Sequence, residues 1–147
     1  MDYKAIPEVA GFLRPEHFYV QAHKTIWATC LRMYEANEPV DLLTVFKHMK
    51  SRGEADGVGG AGYLSSLTGK MASARNIEYH SRIIVQEFIA REMIRIGADA
   101  MRDAYSGKDE SFDLAAATEK LIAELLQETA VKSSVKLGEV AAEQLEN

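Results

Sequence analysis

The sequence predicts an all-α protein: a globular helical head, a protruding antiparallel helical hairpin, and a linker segment after it. Apolar residues recur at spacings of three and four, the period of one helix face, through most of the 147-residue chain. No proline and one glycine, Gly97, fall within residues 73–105, which leaves room for a helix of about 30 residues and about 45 Å. With 47% hydrophobic and 27% charged residues, the composition favours a packed core over a disordered chain.

The first stripe is Tyr19, His23, Ile26, Trp27, Cys30, Leu31 and Tyr34, on a helix that Pro39 is expected to end. Asp41 then stands where an N-cap belongs, its carboxylate placed to accept from the free amides of the next turn. Leu42, Val45, Phe46 and Met49 give that next helix its buried face. Lys47, Lys50 and Arg52 suit its negative end, and Gly53 is its terminator. Gly53, Gly57, Gly59, Gly60 and Gly62 place five glycines in ten residues. A phosphate loop would need a buried strand before it and a lysine followed by Ser or Thr, whereas Gly69-Lys70 is followed by Met71. The glycines therefore read as a loop with a tight turn that lets one helix abut another, leading into a short helix with Tyr63, Leu64 and Leu67 as its apolar side.

Along the long helix, Ile77, His80, Ile83, Ile84 and Phe88 can join the core of the head. Ile89, Met93, Ile96, Gly97, Ala100 and Ala104 carry a fresh stripe that needs separate cover. After the polar turn Ser106-Gly107-Lys108-Asp109, Asp113 can cap a returning helix with Leu114, Ala117, Leu121, Ile122 and Leu125 at helical spacing. Two helices alone bury one side of each, which leaves Ile94, Met101, Ile122 and Leu126 in need of partners, so the hairpin is expected to self-associate. "VKSSVKLGEV", Val131 to Val140, has linker composition, and Val140, Ala141 and Leu145 suit a short amphipathic helix that docks elsewhere.

Little in the chain points to catalysis. His17, His23, His48 and His80 have no metal-ligand spacing with one another or with Cys30, which sits in an apolar stripe with no base beside it. Glu87, Glu92, Asp99 and Asp103 alternate with Arg82, Arg91, Arg95 and Arg102 as a solvated helix face of i, i+4 pairs. The expectation is no catalytic residue, no metal and no cofactor in this segment. A net charge of -5 argues against a main nucleic-acid grip and favours protein partners. No apolar run approaches the roughly 20 residues that span a bilayer, Met1-Asp2-Tyr3-Lys4 opens no signal peptide, and one cysteine fits a reducing compartment. These together predict a cytoplasmic protein with no membrane partner.

Three stretches in order, "FLRPEHFYVQAHKTIW", "PVDLLTVFKHMKSRGEADGVGGAGYLSSL" and "SARNIEYHSRIIVQEFIAREMIRIG", resemble the N-terminal domain of DnaB-type bacterial replicative DNA helicases. The combination carries the likeness: His23 and Trp27, Pro39-Val40-Asp41, Arg52-Gly53, Gly59-Gly60, and Asn76-Ile77 opening the long helix. It runs from about Ile6 to Leu126 and, more weakly, into "VKLGEVAAEQLEN", which looks like the linker helix before the motor of that family. The resemblance implies a further apolar helix ahead of the position matching Met1 and a RecA-like motor, with its ATP and Mg, after Asn147. The sequence is thus expected to be a fragment of a larger helicase, with a shortened relative without a motor as the alternative. The same resemblance implies a ring-shaped hexamer whose collar is a trimer of dimers and recruits primase, with DNA translocation left to the motor and a helicase loader as a possible further partner.

The domains expected are a head over residues 1–88, a hairpin over 89–129 and a linker over 130–147. Hairpin closure and self-association fall to Ile89, Met93, Ile96, Ala100, Leu114, Leu121, Ile122 and Leu125, with Tyr79 and Tyr105 as candidates for partner contact. The rival readings are a helix-turn-helix DNA-binding module with Asp41 to Arg52 as reader, a stand-alone helical adaptor, and a small enzyme completed by another chain.

Overall fold

A computed structural model of the chain describes residues 5–70 and 77–130. Within these residues every regular element is helical: α1 (Ile6–Val9), α2 (Gln21–Glu35), α3 (Leu42–Ser51), α4 (Gly60–Lys70), α5 (Ile77–Ser106) and α6 (Ser111–Ala130), with 3₁₀ turns at Pro15–His17 and Asp56–Val58. The linker expected over Val131–Val140, the helix at Val140, Ala141 and Leu145, and the start of the long helix from Ser73 to Asn76 lie outside the described residues. Two compact units divide at Val85 and Gln86, within α5.

In the first unit, α2 packs on α3 and α3 on α4. Ile26, Cys30 and Met33 of α2, Val45 and Met49 of α3, and Leu64 of α4 form its core together with Ile6, Val40, Ala55 and Val58. Burying a Val, Leu, Ile or Met side chain of this kind contributes about 1.5–3 kcal/mol, the main favourable term here. The expected face of α2 is shifted. Thr29 and Met33 are buried, whereas Tyr34 is exposed and Tyr19 lies exposed ahead of the helix. Thr29 is admitted because its hydroxyl donates to the Thr25 carbonyl at 2.9 Å and accepts from Arg32.

α2 ends before Pro39. Asn37 adopts a left-handed φ of 55°, its amide donates to Tyr34 O, and the Glu38 amide donates to Met33 O, which satisfies two carbonyls of the last turn. α3 begins as expected: the Thr44 amide donates to Asp41 Oδ1 at 2.9 Å and the Asp41 amide donates to Thr44 Oγ1 at 3.0 Å. It ends on Gly53, at φ 72°, with the Glu54 amide on Met49 O. The glycine stretch is less of a loop than expected. Gly57 lies in a 3₁₀ turn, Gly59 and Gly60 join Gly53 at positive φ, and Gly60 and Gly62 already belong to α4. Tyr63, Leu64 and Leu67 do form the inner side of that helix.

The early part of α5 is turned relative to the expected stripe. Ser81 and Val85 are its buried residues, flanked by half-buried Ile77, Ile84 and Phe88, whereas His80 and Ile83 face outward. Spacings of 4, 3, 1 and 3 from Ile77 through Ser81, Ile84, Val85 and Phe88 make one helix face, and a buried serine hides it from a count of apolar residues. Arg82 lies over the Phe12 ring, 5.9 Å from its centroid.

In the second unit, the rest of α5 and α6 lie side by side, joined by residues 107–110 with Gly107 at φ 62°. Asp113 is inside the first turn of α6 rather than its cap, because the helix starts at Ser111 and the Leu114 amide donates to the Glu110 carbonyl. An acidic residue there still favours the positive helix end. The inner side of α6 includes Thr118 in place of the expected Ala117, which is exposed. Thr118 Oγ1 donates to the Leu114 carbonyl at 2.8 Å.

Candidate functional site

Nine of the ten sequence-predicted interface residues lie on the hairpin, and they differ in how far the structure buries them. Ile96 and Leu125, 3% and 6% exposed, are the closed interior of the hairpin. Ile89, Ala100, Leu114 and Ile122 are half-buried beside them. Met93 and Leu121 are exposed at the margin, and Tyr105 stands open at 87% exposure near the turn. Tyr79 belongs to the other unit, where it is exposed and packs its ring edge-on to His80.

Beyond these, α5 and α6 share an apolar side that closing the hairpin leaves uncovered. Ala100, Met101 and Ala104 of α5 and Leu114, Ala115, Ile122, Ala123 and Leu126 of α6 line a groove of about 850 Å³. Ile94 and Met101 stand seven residues apart on α5, 72% and 59% exposed, and Phe112 opens α6 at 87%. Sequence reading picks out Ile94, Met101 and Leu126 as needing cover yet leaves them out of the interface, and it misses Phe112. The signal for Phe112 is the seven-residue step Phe112, Glu119, Leu126, which a charged middle member interrupts.

Charge is kept to a different part of α5. Arg95 pairs with Glu92 at 2.8 Å and Asp99 at 3.4 Å, and Arg102 with Asp99 at 3.0 Å and Asp103 at 3.4 Å. At about 100° per residue, Arg95 and Arg102 point roughly a quarter-turn away from Ile94 and Met101. The hydrogen bond that Arg95 donates to Glu92, then the charge of Glu92, pushes the pKa of the guanidinium above its ordinary value. Exposed pairs of this kind add little stability, and their effect is to keep one side wet while the other stays apolar.

The other groups singled out from sequence have structural partners. His17 Nδ1 accepts from the Arg14 amide at 3.1 Å, His23 and the Tyr63 hydroxyl share a 2.9 Å hydrogen bond, and His48 meets Glu38 at 2.6 Å. Burial pushes the Cys30 thiol up to about 11. No cluster of three or more His, Cys, Asp or Glu among the described residues is placed to hold a metal. On α3, the candidate DNA reader, Val45 and Met49 are buried and Lys47 and Lys50 exposed, while Arg52 pairs with Glu54. No helix among the described residues is long and apolar enough to cross a membrane.

Residues 1–86 match the model of the DnaB-like helicase N terminal domain. The chain belongs to that family. It is 37% identical over 143 residues to the replicative DNA helicase DnaB of Rhodothermus marinus, covering 97% of this chain and 15% of that protein. It is 34% identical over 110 residues to the DnaB of Geobacillus stearothermophilus, covering 75% and 24%, and 31% identical over 143 residues to the replicative DNA helicase DnaC of Bacillus subtilis strain 168, covering 97% and 32%. This DnaB-like chain therefore spans a third or less of the length of these relatives. The crystal structure of the N-terminal domain of DnaB helicase from Mycobacterium tuberculosis superposes with a TM-score of 0.76 at 28% identity, over 82% of this chain and 85% of that one. That 82% exceeds the span of residues 1–86, so the likeness of fold takes in part of the hairpin as well.

Proposed function

We propose that this DnaB-like domain is a non-catalytic collar element of a hexameric replicative DNA helicase, and that it pairs with a second copy through the apolar side of its hairpin. The observation that carries the reading is the segregation on α5 and α6: ion pairs on one side, and Ile94, Met101, Phe112 and Leu126 exposed on another. A pair of helices this apolar is stabilised by a second pair, as in a four-helix packing, and the seven-residue steps match the geometry of such bundles. In the ring these dimers assemble in threes, and the outer surface of the collar receives primase, with Tyr79 and Tyr105 among the contacts. A helicase loader is a further partner.

Because the relatives are three or more times longer than the stretch matched here, ATP with Mg and the chemistry of unwinding are assigned to the remainder of a longer protein. DNA contact goes to that remainder too, and the setting is the cytoplasm. Sedimentation equilibrium of the chain over a wide concentration range tests the core of this reading, with a monomer–dimer equilibrium as the expected result. A chain that stays monomeric throughout sinks it. Titration with the purified primase of the same organism tests the partner, and tight, steeply salt-dependent binding to duplex DNA would instead favour α3 as a reader.

A further inference from the structure

Glu119 is the one charged side chain among the residues that line the apolar groove of the hairpin. It stands seven residues after Phe112 and seven before Leu126, at the centre of the stripe Phe112, Ala115, Glu119, Ile122, Leu126 on α6. Across the groove α5 presents Ala100, Met101 and Ala104, none of which titrates or carries charge. Lys120, next in sequence, is engaged with Glu124, and on α5 Arg95 pairs with Glu92 and Asp99 and Arg102 with Asp99 and Asp103. Within one copy, nothing described pairs with this carboxylate.

We infer that Glu119 sets the strength and register of hairpin pairing. The inference rests on self-association through the groove, with a second copy as the occupant. A two-fold contact lays the same stripe against itself, and the apolar steps run along both helices of this chain, with no Lys or Arg among the residues that line the groove to call for a different, acidic partner. Covering the groove removes Glu119 from water. A polar group of this kind without a partner is costly there, which weakens the seam around it. A lone polar residue at a seam position also disfavours shifted registers, because each shift moves it under a different apolar neighbour. The self-association is thereby weaker and more specific than an all-apolar seam would give.

The test is sedimentation equilibrium of the full chain as wild type, Glu119→Gln and Glu124→Gln. The variant E119Q should dimerise about tenfold more tightly than wild type. E124Q, on another side of α6, should follow wild type. An E119Q dimer that is unchanged or weaker overturns the inference while leaving self-association standing, a weaker one meaning that a cation of the second copy meets the carboxylate. A chain monomeric in all three forms overturns both.

Discussion

The indole Nε1 of Trp27 donates a 2.8 Å hydrogen bond to the main-chain carbonyl of Leu13, fastening α2 to the turn that follows α1. The ring packs half-buried against the core of the first unit, so it has two separable roles. Trp27→Phe keeps most of the ring contact and deprives the Leu13 carbonyl of its donor, and should cost about 1–2 kcal/mol. Trp27→Ala removes both and should cost about 3 kcal/mol or more. Urea unfolding followed by circular dichroism measures the two losses. Equal losses would mean that the ring adds nothing beyond its hydrogen bond.

Two glycines should respond to alanine with opposite signs. At Gly59, φ is 97° and an added Cβ would lie 2.8 Å from the Cβ of Tyr63, whose hydroxyl is tied to His23. Neither the backbone nor that neighbour can give way freely, so Gly59→Ala should destabilise the first unit by about 1–3 kcal/mol. Gly97 lies inside α5 with nothing within 4 Å of an added Cβ, and Gly97→Ala should stabilise the free hairpin by about 0.5–1 kcal/mol. Hydrogen exchange at the amides of each unit reports the two effects separately. A loss of protection in α5 of the Gly97 variant would contradict the open setting of that residue.

What could be read from sequence follows how local the determinant is. Asp41 and Gly53 bound α3 through contacts within four or five residues, and both were legible. Asn37 was not, because a left-handed asparagine is a quieter stop signal than the proline two residues on. Thr29 and Ser81 are buried with polar side chains, so an apolar count passes over them and settles on Tyr34 and His80, which face outward. In the hairpin, counting faces showed that Ile94, Met101 and Leu126 need cover, while Phe112 was concealed behind Glu119. What covers that side is a property of two chains, which the spacing within one chain does not encode.

Cys30 offers a pH-dependent check on the first unit. It is 1% exposed, and burial raises its thiol from the ordinary 9.0 to about 11. The folded state therefore holds the thiol proton more tightly than the unfolded chain does. That contribution is whole below about pH 9 and is lost as pH rises through the interval up to about 11. Unfolding free energies measured across this interval should fall more steeply for wild type than for Cys30→Ala. At neutral pH a thiol reagent should label the native protein only as fast as the unit opens. Rapid labelling without unfolding would contradict the burial.

Two isoleucines two positions apart on α5 give the sharpest separation between folding and pairing. Ile96 is 3% exposed inside the hairpin, and Ile94, two positions earlier, is 72% exposed on the uncovered side. Ile96→Asp places an unpaired charge in the hairpin interior and should unfold the second unit, at a cost of about 3 kcal/mol or more. Ile94→Asp leaves the interior intact, so the isolated copy should keep its helicity and melt within about 0.5 kcal/mol of wild type. If the uncovered side is where two copies meet, the same substitution should still weaken dimerisation by about 2 kcal/mol, roughly thirtyfold in Kd. Sedimentation equilibrium read beside the thermal melt distinguishes the cases. An Ile94→Asp chain that dimerises as wild type does would move the contact off this side of α5, whatever the stability of the fold.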